Sequence, residues 1–162
     1  MSRPLPVVPP PPRARRSPVA PEACSLARAI DLIGERWTLL ILRAALFGVR
    51  RFDDFQKELG CPRTVLSNRL ARLSEAGLLE RQPYREPGKR TRTEYVLTAR
   101  GQALQPALIQ LTLWGDGVLA DGPAPLRFRD RDSRQSLRPA LVDEAGREVP
   151  ADRVRAAVRP SS

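Results

Sequence analysis

The chain has 162 residues and a formal net charge of +10, from 28 basic and 18 acidic side chains, a length that holds about one ordinary domain with extensions. It contains no histidine, which excludes Ser-His-Asp and Cys-His catalysis and the usual His-containing zinc site. Its two cysteines, Cys24 and Cys61, are too few for a secreted disulfide framework. The most apolar stretch, Leu39 to Leu46, is interrupted by Arg43 and falls well short of the roughly 20 apolar residues of a membrane helix.

These features predict a soluble, intracellular chain. The basic excess predicts a polyanionic partner, nucleic acid ahead of an anionic membrane surface. All basic residues but Lys57 and Lys89 are arginines, a bias that a GC-rich genome also produces, so the charge has to be located along the chain. Residues 1–22 hold eight of the 17 prolines and a net +3. Such a composition cannot bury enough apolar surface to offset chain entropy, so a disordered Pro/Arg-rich arm is expected, and its prolines break any signal-peptide core. It is either an inert leader or a basic arm that follows phosphate or enters a minor groove.

Leu26, Ile30 and Ile33 recur at helical spacing, with Gly34 placed to end the helix. Residues 37–47 are apolar on nearly all sides up to Gly48, as in a helix buried within a bundle or between subunits, with Trp37 as a core or interface residue. Arg51 to Leu59 reads as a short helix with Phe52, Phe55 and Leu59 on one side, followed by a turn at Gly60. A second helix should run from Pro62, as its first helical residue, to a stop at Gly77. That is the outline of a helix-turn-helix, although any two consecutive helices can produce it.

The second helix is more specific. Leu66, Leu70 and Leu73 share one side and must face the core, which leaves Arg63, Thr64, Ser67, Asn68 and Ala71 on the other. Between Pro62 and Ser74 it carries three arginines and no acid, a pattern suited to a groove lined with phosphates. Arg63, Thr64, Ser67 and Asn68 are the candidates for reading base edges, arginine being able to bond guanine and asparagine adenine. Arg69 and Arg72 are candidates for phosphate. Beyond Gly77, Leu79 to Tyr84 and the alternating Thr93, Tyr95 and Leu97 read as two strands. Glu86-Pro87-Gly88-Lys89 between them suits a type II turn, and Arg85, Lys89, Arg90 and Arg92 make the hairpin a basic wing for phosphate. Residues 50–100 contribute +5 of the net charge.

Thr98 is a suitable N-cap for one more helix, from Ala99 to about Leu119, in which Leu104, Leu108, Leu111 and Val118 keep helical spacing and Trp114 adds a large apolar surface. A winged-helix core of about seventy residues cannot cover both this helix and the apolar 37–47 helix, so a two-fold homodimer is expected. The adjacent acids Asp53-Asp54 and Asp143-Glu144 lack a partner base or a metal signature, and no phosphate loop is present. An enzyme is not expected, nor is a cofactor or a metal. The fold class is mainly α with a small β-hairpin (α+β), a winged helix-turn-helix domain with flanking dimerisation helices.

The short motifs resemble the HxlR family of bacterial winged-helix regulators, relatives of the MarR group. In order they are a cysteine opening the first helix, Gly34-Glu35-Arg36-Trp37-Thr38, Gly48 with Arg51-Phe52-Asp53-Asp54-Phe55, Leu66-Ser67-Asn68-Arg69-Leu70, Gly77-Leu78-Leu79-Glu80-Arg81, Glu94-Tyr95-Val96-Leu97-Thr98 with Gly101, and Trp114-Gly115. The resemblance implies sequence-specific binding of double-stranded DNA by a homodimer joined through the first and last helices of the domain. The domains expected are the arm at 1–22, a DNA-binding and dimerisation domain at 23–121, and a C-terminal extension at 122–162. Two departures stand out. Gly60-Cys61-Pro62 replaces the Gly-Ile-Ser frequent in the family. The extension has no Cys or His where some members have a small zinc ribbon, so it should be a metal-free hairpin or largely disordered.

Cys24 lies where a helix dipole favours thiolate, and several members of the resembling family sense oxidants or electrophiles with a cysteine in this region; the plain alternative is a small, half-buried apolar residue. Cys61 reads as a replacement for a core aliphatic. The function expected is a cytoplasmic, nucleoid-associated dimeric repressor at a pseudo-palindromic operator, its effector unspecified. A winged-helix protein-interaction module and a non-specific nucleic-acid binder are the rivals.

Overall fold

The computed structural model describes residues 19–119 and 122–157; the proposed N-terminal arm lies almost wholly outside the described residues. The chain divides into two compact units, Ser25–Leu108 and a second that takes in Cys24 and the residues from Ile109 onward.

In the first unit the helices are α1 (Ser25–Ile33), α2 (Arg36–Leu46), α3 (Phe52–Leu59) and α4 (Arg63–Glu75), followed by strands β1 (Leu79–Tyr84) and β2 (Arg92–Leu97) and a short helix α5 (Ala99–Gln102). Asp53 and Asp54 in the first turn of α3 and Lys57 in its last complement the helix dipole. Gly60 ends α3 at φ 62°, a left-handed conformation that glycine adopts without strain. The chain then re-enters a helix three residues later, at Arg63.

The core is assembled from Ile41 and Leu42 of α2, Phe55 of α3, Leu66, Leu70 and Leu73 of α4, and Leu78 and Leu79 at the start of the hairpin, all 3% exposed or less. Each large side chain so buried contributes about 1.5–3 kcal/mol. The three leucines of α4 fall on the inner side as their spacing predicts. The antiparallel hairpin pairs Leu79 with Leu97 and Tyr84 with Arg92. Its turn closes with Lys89 N donating to Glu86 O at 3.0 Å and Gly88 at φ 76°, as the Pro-Gly pair predicts.

Helix ends shift by a residue at α2 and α3, and two differences from the sequence reading are larger in consequence. The second helix of the pair begins at Arg63, because Pro62 is extended (φ −55°, ψ 136°) and serves as its N-cap without a side-chain bond. The last helix is not continuous: α5 ends at Gln102 and α6 runs over Gln105–Val118. Pro106 has no N–H to donate to the Gln102 carbonyl and its ring would collide there, so the ladder stops and restarts with proline in the first turn. The Thr98 cap is present, its Oγ1 accepting from Gly101 N at 3.1 Å and donating to Gly77 O at 2.7 Å. Gly101 packs so closely on this junction that a Cβ would collide with the Leu78 carbonyl oxygen.

In the second unit, β3 (Leu141–Val142) and β4 (Glu148–Val149) form a small hairpin. Two carboxylates organise the turns. Asp130 Oδ1 accepts from the backbone N–H groups of Asp132 at 3.0 Å and Ser133 at 2.6 Å. Asp143 Oδ1 accepts from Ala145 and Arg147, both at 3.0 Å. Those backbone bonds, from Ser133 and Arg147 first, hold both carboxyls below the usual aspartate range. No helix among the described residues is long and apolar enough to cross a membrane.

Candidate nucleic-acid interface

Helix α4 has two sides of opposite character. Leu66, Leu70 and Leu73 anchor it in the core, while Arg63, Thr64, Ser67 and Asn68 are exposed. The fourth-residue repeat of the leucines fixes the roll of the helix, and with it the direction in which the polar residues point. Arg63 is steered by α3: its guanidinium lies 4.8 Å from the centroid of Phe52, and Nη1 donates to Gln56 Oε1 at 3.3 Å. Asp53 connects the helix to the wing, with one carboxylate oxygen 3.9 Å from Arg63 and the other 3.5 Å from Arg92. Arg63, Thr64, Ser67 and Asn68 therefore share one exposed face, and Arg92 is brought alongside its start.

The wing carries the other cations. Arg85 Nε donates to Lys89 O at 3.1 Å, and Lys89 Nζ pairs with Glu86 at 2.7 Å. Arg90 is exposed and makes no side-chain bond among the described residues. Lys89 first, and then Arg51, draw the Glu86 carboxyl below its ordinary value.

Arg69 and Arg72 lie differently. Arg69 pairs with Glu35, the N-cap residue of α2, and its side chain is 24% exposed. Arg72 approaches the same carboxylate at 3.8 Å and donates to the Asp31 carbonyl at 2.6 Å. The two arginines expected at phosphate thus face the α1–α2 corner, where their partners hold α4 in place. Spacing within α4 could not reveal this, because Glu35 and Asp31 lie more than thirty residues earlier in the chain. Glu35, which meets Arg69 and Arg72, Asp53, which lies between Arg63 and Arg92, and Arg51, which pairs with Glu86, are contacts that the sequence pattern did not single out.

The cysteines also differ. Cys24 is partly buried, immediately ahead of α1, with its N–H donating to Pro21 O at 3.1 Å. Cys61 is 2% exposed and belongs to the core cluster, as a replaced aliphatic would. Burial pushes its thiol up, against a smaller opposing pull from Arg69.

A core-anchored helix with one polar exposed face, set beside a basic hairpin, defines a winged helix-turn-helix DNA-binding domain. Residues 32–122 match the HxlR-like helix-turn-helix family, and the chain belongs to it: it is a transcriptional regulator with a helix-turn-helix DNA-binding domain. It is 44% identical over 136 residues to the uncharacterized HTH-type transcriptional regulator Rv3095 of Mycobacterium tuberculosis, an alignment covering 82% of this chain and 84% of that protein. Among solved structures it resembles PA1607, with a TM-score of 0.72 and 36% identity over 83% of this chain and 94% of that one. It also resembles the redox regulator HypR in its reduced form, with a TM-score of 0.52 and 26% identity over 57% of this chain and 90% of that one.

Proposed function

We propose that the chain is a dimeric repressor that reads a pseudo-palindromic operator. The observation that carries this is the division of α4, with leucines buried at 1% exposure or less on one side and an exposed, acid-free row of Arg63, Thr64, Ser67 and Asn68 on the other. In this reading those four residues meet base edges in the major groove. Arg85, Lys89, Arg90 and Arg92 meet phosphates beside it, and Arg69 and Arg72 position α4 from behind. The domain divides from an arm at 1–22 and an extension at 122–162.

Dimerisation is supported by apolar side chains left exposed on two helices: Leu26 and Ile30 of α1, and Leu111, Trp114 and Val118 of α6, each about half exposed or more. Large apolar side chains repeated along a helix face are what a second subunit covers. A two-fold dimer would present two copies of α4 to successive major grooves, about one helical turn apart. The partly accessible Cys24 just ahead of α1, and the likeness to a redox regulator also solved in its oxidized form, support an oxidant-responsive thiol that alters this contact.

The test is a selection of bound fragments from genomic DNA, beginning with the protein's own promoter, followed by footprinting. Two protected half-sites of related sequence about 10 base pairs apart are expected. Enrichment without any shared sequence would contradict operator reading.

A further inference from the structure

Glu86 is the single acid in the turn region of a hairpin otherwise rich in cations, an unfavourable place for a carboxylate if the wing lies on phosphate. Its two oxygens hold two different cations. Oε1 accepts from Arg51 Nη1 at 2.6 Å, and Oε2 pairs with Lys89 Nζ at 2.7 Å. The Arg51 guanidinium also lies 4.4 Å from the centroid of Tyr84, the last residue of β1. Its backbone bridges Glu94 of β2, where Tyr95 N donates to Arg50 O at 2.8 Å.

Arg51 is the N-cap residue of α3. The segment that leads into the helix-turn-helix is therefore bonded to β2 by its backbone, to β1 by ring stacking, and to the turn by Glu86. A two-stranded hairpin without such support is marginally stable. Arg85 is part of the same turn, through its bond to the Lys89 carbonyl at 3.1 Å. We infer that Glu86, acting through Arg51 and Lys89, is a positioning residue for DNA binding: it fixes the wing's turn against the start of α3, so that Arg85 and Arg90 stand at a set distance from the reading face of α4.

This inference rests on the reading of the wing as a phosphate contact, and it makes a prediction opposite in sign to simple electrostatics. If Glu86 only subtracted charge, Glu86→Gln would add one positive unit per protomer and tighten binding to any duplex. As a positioning residue, its loss frees the turn and weakens binding.

The experiment titrates the full-length protein and its variants against a mixed-sequence duplex of about 30 base pairs, by fluorescence anisotropy, from about 50 to 300 mM salt. Glu86→Gln is expected to weaken binding about three- to tenfold, the scale of a lost partly exposed pair counted in both protomers. Arg90→Ala should cost less than half as much in the Glu86→Gln background as in the wild type, because the cation it removes is already misplaced. Arg51→Lys keeps the charge but loses the flat stack on Tyr84, and should weaken binding in the same direction. A role limited to stability would lower the thermal midpoint while leaving the Arg90 effect undiminished. Equal or tighter binding by Glu86→Gln, or full additivity with Arg90→Ala, overturns the inference. Wild-type binding that is flat in salt overturns the phosphate reading itself, and the inference with it.

Discussion

Glu35→Gln removes the carboxylate on which two arginines of α4 converge, and so tests whether those arginines serve the fold or the DNA. An exposed ion pair is worth about 0.2–1 kcal/mol. The Arg69 pair, with side chains 24% and 50% exposed, belongs toward the upper end. The Arg72 pair, at 3.8 Å between half-exposed groups, belongs toward the lower end because solvent screens it. Arg69 Nε is buried without a hydrogen-bond partner among the described residues. Together these give about 1–1.5 kcal/mol, or a fall of roughly 4–10 °C in the thermal midpoint of a domain this size, and the loss should shrink in high salt. Differential scanning calorimetry reads the midpoint, and a parallel titration against mixed-sequence duplex reads the salt slope. Lower stability with an unchanged slope is expected. An unchanged midpoint with a slope steeper by about one unit per arginine would mean that Arg69 and Arg72 are phosphate ligands restrained by Glu35, and would refute the positioning role given to them.

Thr98→Val removes both the cap on Gly101 N and the donor to Gly77 O, and should cost about 1–2 kcal/mol in urea denaturation, with Thr98→Ser retaining most of it; equal losses for the two variants would count against the hydroxyl. Alkylation followed by mass spectrometry should label Cys24 readily and leave Cys61 unlabelled until denaturant is added, because burial raises the Cys61 thiol; comparable labelling rates in the native protein would contradict the core assignment. The turns at Asp130 and Asp143 have depressed carboxyl values, so the stability they supply is fully present above the ordinary aspartate value of about 3.9 and is lost as pH falls through the lower folded values. Protection factors of the Ser133 and Arg147 amides, taken relative to intrinsic exchange at each pH, should fall over that range, and protection factors unchanged down to about pH 2 would show that the carboxylates do not hold the turns.

The helix-turn-helix and wing were legible because local chemistry determines them. Leu66, Leu70 and Leu73 repeat at the helical period, and Pro87-Gly88 selects the turn. Cys61 was legible as a core residue from its place between two packed helices. The break before α6 was hidden because Leu104, Leu108 and Leu111 keep their spacing across Pro106, so the periodicity continues where the hydrogen-bond ladder cannot. The partners of Arg69, Arg72 and Glu86 were hidden for another reason. Glu35 and Asp31 lie more than thirty residues from the α4 arginines, and Arg51 lies 35 residues from Glu86, so only the tertiary fold creates these contacts. The count of charges along the sequence does not separate cations such as Arg90, which makes no side-chain bond among the described residues, from those such as Arg69 and Lys89 that pair with carboxylates.

The central claim is that the exposed row on α4 reads bases while the wing supplies affinity. The most direct measurement compares wild type, Asn68→Ala and Arg90→Ala on a selected operator and on mixed-sequence duplex, across a salt series. With about six to eight phosphates neutralised per dimer, the log-log salt slope should be near −5 to −7. Asn68→Ala should lose about 1–3 kcal/mol per half-site on the operator only, and Arg90→Ala should weaken both duplexes alike. Equal losses on the two duplexes for Asn68→Ala would contradict base reading by α4.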